Sequence, residues 1–351
     1  MKNYSQERDE KIIKQIKELR DRLPEFCSQF FVAMSNITSP LTRLNYGRDY
    51  LVFFNYLTNE VRKFKNTSIE DFTIDQLNAV TQTDIENYLD YLTSYVDENG
   101  ITRNNGAEGK SRKLASLRRL FAYLYNKNLL RENVSTKVDM PKKHSKEIIR
   151  LEGEEMTDFL DVVEGGEELS SRAQKYHEKT KIRDVALLTL MLGTGIRVSE
   201  CVGLNIEDVD LAAGSFRVTR KGGNRTILYL PEEVIEIMEE YMEYRRSLEV
   251  ETTALFLSMQ NKRIGVRTVE IMVKKYAEIA TPLKHITPHK LRSTFGTNLY
   301  RETKDIYVVA EVLGHTSIET TKRHYAAIDE DIKRQAAGVV KIRKKEDEED
   351  G

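Results

Sequence analysis

Residues 192–204, LGTGIRVSECVGL, close an apolar run and open a short helix around a single arginine. The stretch before them, Val185 to Leu192, is apolar except for Thr189 and reads as a buried helix stopping at Gly193. Gly193 and Gly195 bracket a turn, Arg197 starts the next helix, and Glu200 follows one turn on. That order presents a guanidinium from a rigid backbone, with a carboxylate placed to orient it. A surface i,i+3 ion pair has the same spacing, so the rest of the chain must decide between the two readings.

A chain of 351 residues exceeds what one hydrophobic core usually supports, and two domains are expected. Its 40% hydrophobic and 32% charged residues fit a soluble globular protein. The Val185 to Leu192 run is far too short for a membrane span. Met1 to Arg8 lacks the apolar stretch of a secretory signal. Cys27 and Cys201 alone supply neither a disulfide framework nor a zinc site, so a cytoplasmic protein without membrane attachment is expected. The net charge of −1 conceals an asymmetry, because residues 101–150 hold 13 Lys/Arg against 4 Asp/Glu. Such a basic block suits a local polyanion contact, and suits a solvated helix and linker equally well.

Residues 10 to 135 read as almost entirely helical. Ile12, Ile13, Ile16 and Leu19 recur at helical spacing, Pro24 interrupts, and Ser39-Pro40 offers a cap and first turn for a second helix. Asp84 to Tyr95 reads as a third. The fourth, from about Asn105 to Asn126, carries a core stripe of Leu114, Leu117, Leu120, Phe121 and Leu124. Lys110, Arg112, Lys113 and Arg119 are expected on its opposite side, and with Lys142 and Lys143 they are the candidate phosphate contacts. The expected divisions are an N-terminal extension (1–24), a helical domain (25–136), a basic linker (137–147), a second domain (148–340) and a charged tail (341–351).

Within the second domain, residues 214–220 and 226–230 flank a Gly-Gly turn and predict a β-hairpin, with Lys221 at the turn. Thr287-Pro288 suits a helix start, which places His289 and Arg292 on one face. Farther on, Leu313-Gly-His315 precedes Arg323-His-Tyr325. A lysine on a turn is usually just solvated, and none of these patches is specific alone.

Together GTGIRVSE, RKGGNR, TPHKLR, LGH and RHYAAI resemble, in the same chain order, the motifs of the tyrosine recombinases, or phage integrase family. The resemblance implies a mainly α fold with a small antiparallel β-sheet: a SAM-like helical core-binding bundle, then an α+β catalytic domain. It implies Arg197, Lys221, His289, Arg292, His315 and Tyr325 as catalytic residues, supported by Glu200. Arg197 and Arg292 would grip the nonbridging oxygens of a pentavalent phosphorane, a geometry lysine does not copy. His289 and His315 would add hydrogen bonds to those oxygens. Tyr325, a phenol that ordinarily ionises near pH ~10, would be the nucleophile. Lys221 would protonate the leaving 5′-hydroxyl. Tyr300 and Tyr307 lack a flanking Leu-Gly-His element and read as packing residues.

No metal and no other cofactor is implied, since the arginines carry the charge a divalent ion carries in hydrolytic nucleases. The implied partners are double-stranded DNA and a homo-tetramer on it, with or without a partner recombinase. Residues 1 to 25 are too few for an arm-binding module, which suggests the simple Xer-like type. Residues 164–182 read as a polar insertion, and residues 329–340 as a short amphipathic piece that docks on a neighbour or folds back. Two other activities share part of this pattern: a type IB-like topoisomerase and a catalytically silent DNA-binding accessory protein.

Overall fold

Helix α1, Tyr4–Arg20, is no appendage: its Ile12, Ile16 and Leu19 stripe is buried against α3, Pro40–Glu60. Gly47 on α3 makes the approach possible, since a Cβ there would fall 1.8 Å from Leu19 Cδ2. Between them lies α2, Glu25–Ala33, begun by Pro24. These assignments come from a computed structural model that describes residues 4–142, 149–220, 223–315, 317–319 and 321–322. The chain forms two compact units, residues 1–146 and 147–351.

In the first unit, the Ser39 hydroxyl accepts from the Thr42 N–H and starts α3, as the Ser-Pro pair suggests. Helices α4, Ile74–Asn78, and α5, Gln82–Tyr91, each open with a reciprocal capping box, from Thr73/Gln76 and Thr81/Asp84. The third helix therefore ends sooner than expected. Strands β1, Ser94–Val96, and β2, Thr102–Asn104, pair antiparallel across an Asp97-Glu-Asn-Gly100 turn. Asp97 Oδ1 accepts from Asn99 N at 2.9 Å and Ile101 N at 3.0 Å, so local turn chemistry outcompetes the helix. Helix α6, Ala107–Asn126, completes the bundle. Its stripe closes an aromatic core of Phe30, Tyr50, Phe53, Tyr88 and Phe121, in which Phe53 and Tyr88 meet edge to face at 5.1 Å. Tyr50 Oη donates to the Ser116 carbonyl at 3.1 Å, tying α3 to α6.

One expectation for α6 is overturned. Lys113 is 7% exposed, with Nζ 3.1 Å from Asn105 Oδ1 and 3.9 Å from Asp49 Oδ1. At about 100° per residue it falls inside the arc spanned by Leu117, Leu120 and Leu124, so it follows the core stripe inward. Burial holds its ammonium below the usual lysine range despite the pull of Asp49. Part of the expected linker is also core: Val138 is buried, and Arg118 donates to the carbonyls of Ser135 and Val138.

The second unit is built around α8, Ser171–Thr194, which α7, Gly153–Gly165, α10, Glu232–Ser247, and α12, Pro288–Thr303, all contact. Between α8 and α10 lie α9, Val198–Cys201, and strands β3, Val209–Asp210, β4, Ser215–Thr219, and β5, Arg225–Tyr229. They form an antiparallel sheet in the order β3-β4-β5, with Phe216 opposite Leu228 on the buried face. Helices α11, Val266–Ala280, and α13, Ile306–Leu313, flank α12 in sequence. Residues 164–182, the expected polar insertion, are ordered structure. They finish α7 and make the first half of α8, held by His177 Nε2 against the Val163 carbonyl at 2.7 Å. Farther along α8, buried Asp184 accepts from Tyr276 Oη at 2.8 Å and from Arg183. Among the described residues, no helix is long and apolar enough to cross a membrane.

Candidate active site

Arg197 caps α9 rather than lying within it. The Glu200 carboxylate accepts from the Arg197 backbone N–H at 3.1 Å and from Nη1 at 2.8 Å, which fixes both ends of the residue. Glu200 is nearly buried and the Arg197 side chain is 37% exposed, so this is no solvated surface pair. The remaining Nη2 donates to the Gly314 carbonyl at 3.0 Å. Gly195, which precedes this cap, takes the left-handed conformation that lets α8 stop and the chain turn back.

Arg292 lies one turn into α12, whose first residue is Pro288 after the Thr287 cap. It is 5% exposed. Nη1 donates to the Gly195 carbonyl at 2.5 Å and Nη2 to the Leu313 carbonyl. His289, a turn earlier on the same helix, is exposed. At the far side α13 ends in left-handed Gly314, and the His315 N–H reaches back to the Ala310 carbonyl at 2.9 Å. His315 is half-buried, with Nδ1 2.8 Å from Thr321 Oγ1. Helix-end carbonyls carry partial negative charge, and they hold both guanidiniums beside His315. Of the six expected catalytic residues, Arg197, Arg292 and His315 are thus gathered at one helix end, and His289 shares a helix with Arg292. Lys221 and Tyr325 lie outside the described residues, as do Lys143, residues 329–340 and the tail.

One arginine here was not anticipated. Arg220, at the end of β4, donates Nη2 to the Val312 carbonyl at 2.8 Å. Its place beside Lys221 in RKGGNR was the available signal. The rival tyrosines differ: Tyr300 is buried with Val309 and Leu313, whereas Tyr307 is 62% exposed. Among the described residues no three His, Cys, Asp or Glu side chains cluster as a metal site would require.

The candidate DNA contacts of the first unit differ in exposure and partners. Arg119 and Lys142 are exposed. Exposed Arg112 forks onto Asp49 at 2.5 and 2.7 Å, and half-buried Lys110 donates to Thr93 Oγ1 at 2.8 Å.

The family model of the phage integrases matches residues 150–331, which contain every element of this site. The chain is a site-specific tyrosine recombinase of the phage integrase family. The recombinase is 32% identical to the tyrosine recombinase XerC of Caldanaerobacter subterraneus, over 90% of this chain and 85% of that protein. It is 30% identical to the XerS recombinase of Streptococcus uberis, over 93% and 98%. Its fold matches that of XerH bound to palindromic difH, with a TM-score of 0.66, 21% identity and coverage of 86% and 80%. A lambda integrase dimer on a core site gives 0.61, with 16% identity and coverage of 86% and 94%. These relatives favour neither a topoisomerase nor a silent accessory protein.

Proposed function

We propose that this recombinase binds double-stranded DNA and exchanges strands through a covalent phosphotyrosyl intermediate, as a tetramer on two sites. The Tyr325 oxygen attacks the scissile phosphorus, the P–O5′ bond breaks, and a 3′-phosphotyrosyl bond forms with a free 5′-hydroxyl. Arg197 and Arg292 hold the nonbridging oxygens as charge builds, and His289 and His315 donate to them. His289 takes the phenol proton, and Lys221 gives one to the departing O5′. Because the phosphodiester energy is kept in the new ester, the reverse attack by a 5′-hydroxyl from another duplex rejoins the strand. The observation that carries this reading is the convergence of Arg197, Arg292 and His315 on one helix end from three separate elements.

Lys110, Arg112, Arg119, Lys142 and Lys143 are the backbone contacts in this scheme, and the burial of Lys113 removes it from that set. In this reading the recombinase acts in the cytoplasm, at the nucleoid. Incubation with a nicked duplex, whose cleavage releases a short fragment and so blocks religation, should yield a denaturation-resistant protein–DNA adduct in EDTA. Cleavage without an adduct would defeat the scheme. Relaxation of a supercoiled plasmid bearing no particular site would favour the topoisomerase.

A further inference from the structure

Three consecutive carbonyls at the end of α13 are each met by an arginine from a different element. Arg220 after β4 donates to Val312, Arg292 on α12 to Leu313, and Arg197 before α9 to Gly314. The last carbonyls of a helix have no partner within it and carry its negative pole, so this end supplies what three converging cations need. Two of the three are already accounted for as phosphate ligands. The third is not.

Arg220 is half-buried, and among the described residues its Nε has no hydrogen-bond partner. Burial and the neighbouring Arg197 hold it below the usual arginine range, against the pull of Glu200. Its guanidinium lies over Gly314, where an added Cβ would fall 1.1 Å from Nη1. Gly314 is left-handed at φ 61°, and the residue that follows it is His315. A half-buried cation of this kind is costly unless hydrogen-bond acceptors meet it, and the Val312 carbonyl is one.

We propose that Arg220 is a positioning residue that fixes the end of α13, and hence His315, against Arg197 and Arg292. By pinning the Val312 carbonyl and covering Gly314, it ties the β-sheet to the helix end. Arg220 then acts through His315 rather than on phosphate. This rests on the strand-cleavage reading, in which His315 donates to the scissile phosphate.

The test is the single-turnover rate of adduct formation on the nicked duplex, at saturating protein. Arg220→Ala should slow it about 10- to 100-fold, the scale of a small misplacement of a catalytic group, with duplex affinity unchanged within about twofold. Arg220→Lys should be slowed similarly, because a single ammonium cannot both reach Val312 and cover Gly314 as the guanidinium does. The deciding comparison is with His315→Ala: in that background, removing Arg220 should slow the reaction less than about threefold. Losses that multiply, or an Arg220→Lys enzyme as fast as the parent, would overturn the proposal. If Arg220→Ala melts below the assay temperature, Arg220→Lys alone and with His315→Ala gives the same comparison. A parent protein that forms no adduct would instead remove the strand-cleavage reading itself.

Discussion

Tyr325→Phe should abolish adduct formation, with a loss of at least about 10⁴-fold, the scale seen when a catalytic nucleophile is removed. The substitution deletes one oxygen and leaves the ring, so duplex binding should be unchanged in a shift assay. The size of the effect follows from covalent catalysis: no neighbouring group can form the same ester without moving a different hydroxyl to the phosphorus. Tyr300 is packed against Val309 and Leu313 beneath α13 and is poorly placed to substitute. Tyr307 is exposed but lies in the first turn of α13, whereas the arginines meet that helix at its other end. Retention of more than a few percent of the adduct would place the nucleophile elsewhere.

The second large effect is expected at Arg292. Arg292→Lys should slow single-turnover cleavage by about 10²- to 10³-fold, as loss of a preorganised donor to developing charge does. The charge is conserved and the geometry is not. Arg292 is buried and uses both ends of its fork, on Gly195 and Leu313, which sets the guanidinium plane. A lysine offers one compact ammonium and reaches one carbonyl at a time, leaving the other buried acceptor unmet. Affinity for uncleaved duplex should change little, because the missing interaction strengthens as the phosphorane forms. A lysine enzyme within tenfold of the parent would mean that charge alone suffices there.

Much of this architecture is readable in the residues themselves, where the determinants are local. Ser39-Pro40 caps α3, the Leu114 to Leu124 stripe builds α6, and residues 215–219 pair with 225–229, each through interactions close in sequence. Arg197 and Glu200 are likewise one turn apart, and their pairing follows from spacing. The charge of Lys113 points to solvent, whereas its helical angle places it with the core stripe. The Asp97-Glu-Asn-Gly100 turn carries its own signal, which the helical periodicity of Asp84 to Tyr95 masked. Other features depend on distant partners. The polar first half of α8 has little local signal, and His177 secures it on the Val163 carbonyl of α7. Arg220 meets Val312 across 92 positions, and no local pattern announces that contact. The expected catalytic set stands out only because five motifs occur in one order, and the approach of Arg197 and Arg292 to the LGH helix end lies in none of their spacings.

The most direct test of the central claim is to digest the covalent adduct with nuclease and trypsin and locate the nucleotide by mass spectrometry. Tryptic cleavage after Arg323 isolates residues 324–333, with Tyr325 as the only tyrosine. The nucleotide mass should sit on that peptide, on Tyr325. Its appearance on a peptide holding Tyr300 or Tyr307, or on any residue other than a tyrosine, would contradict the account.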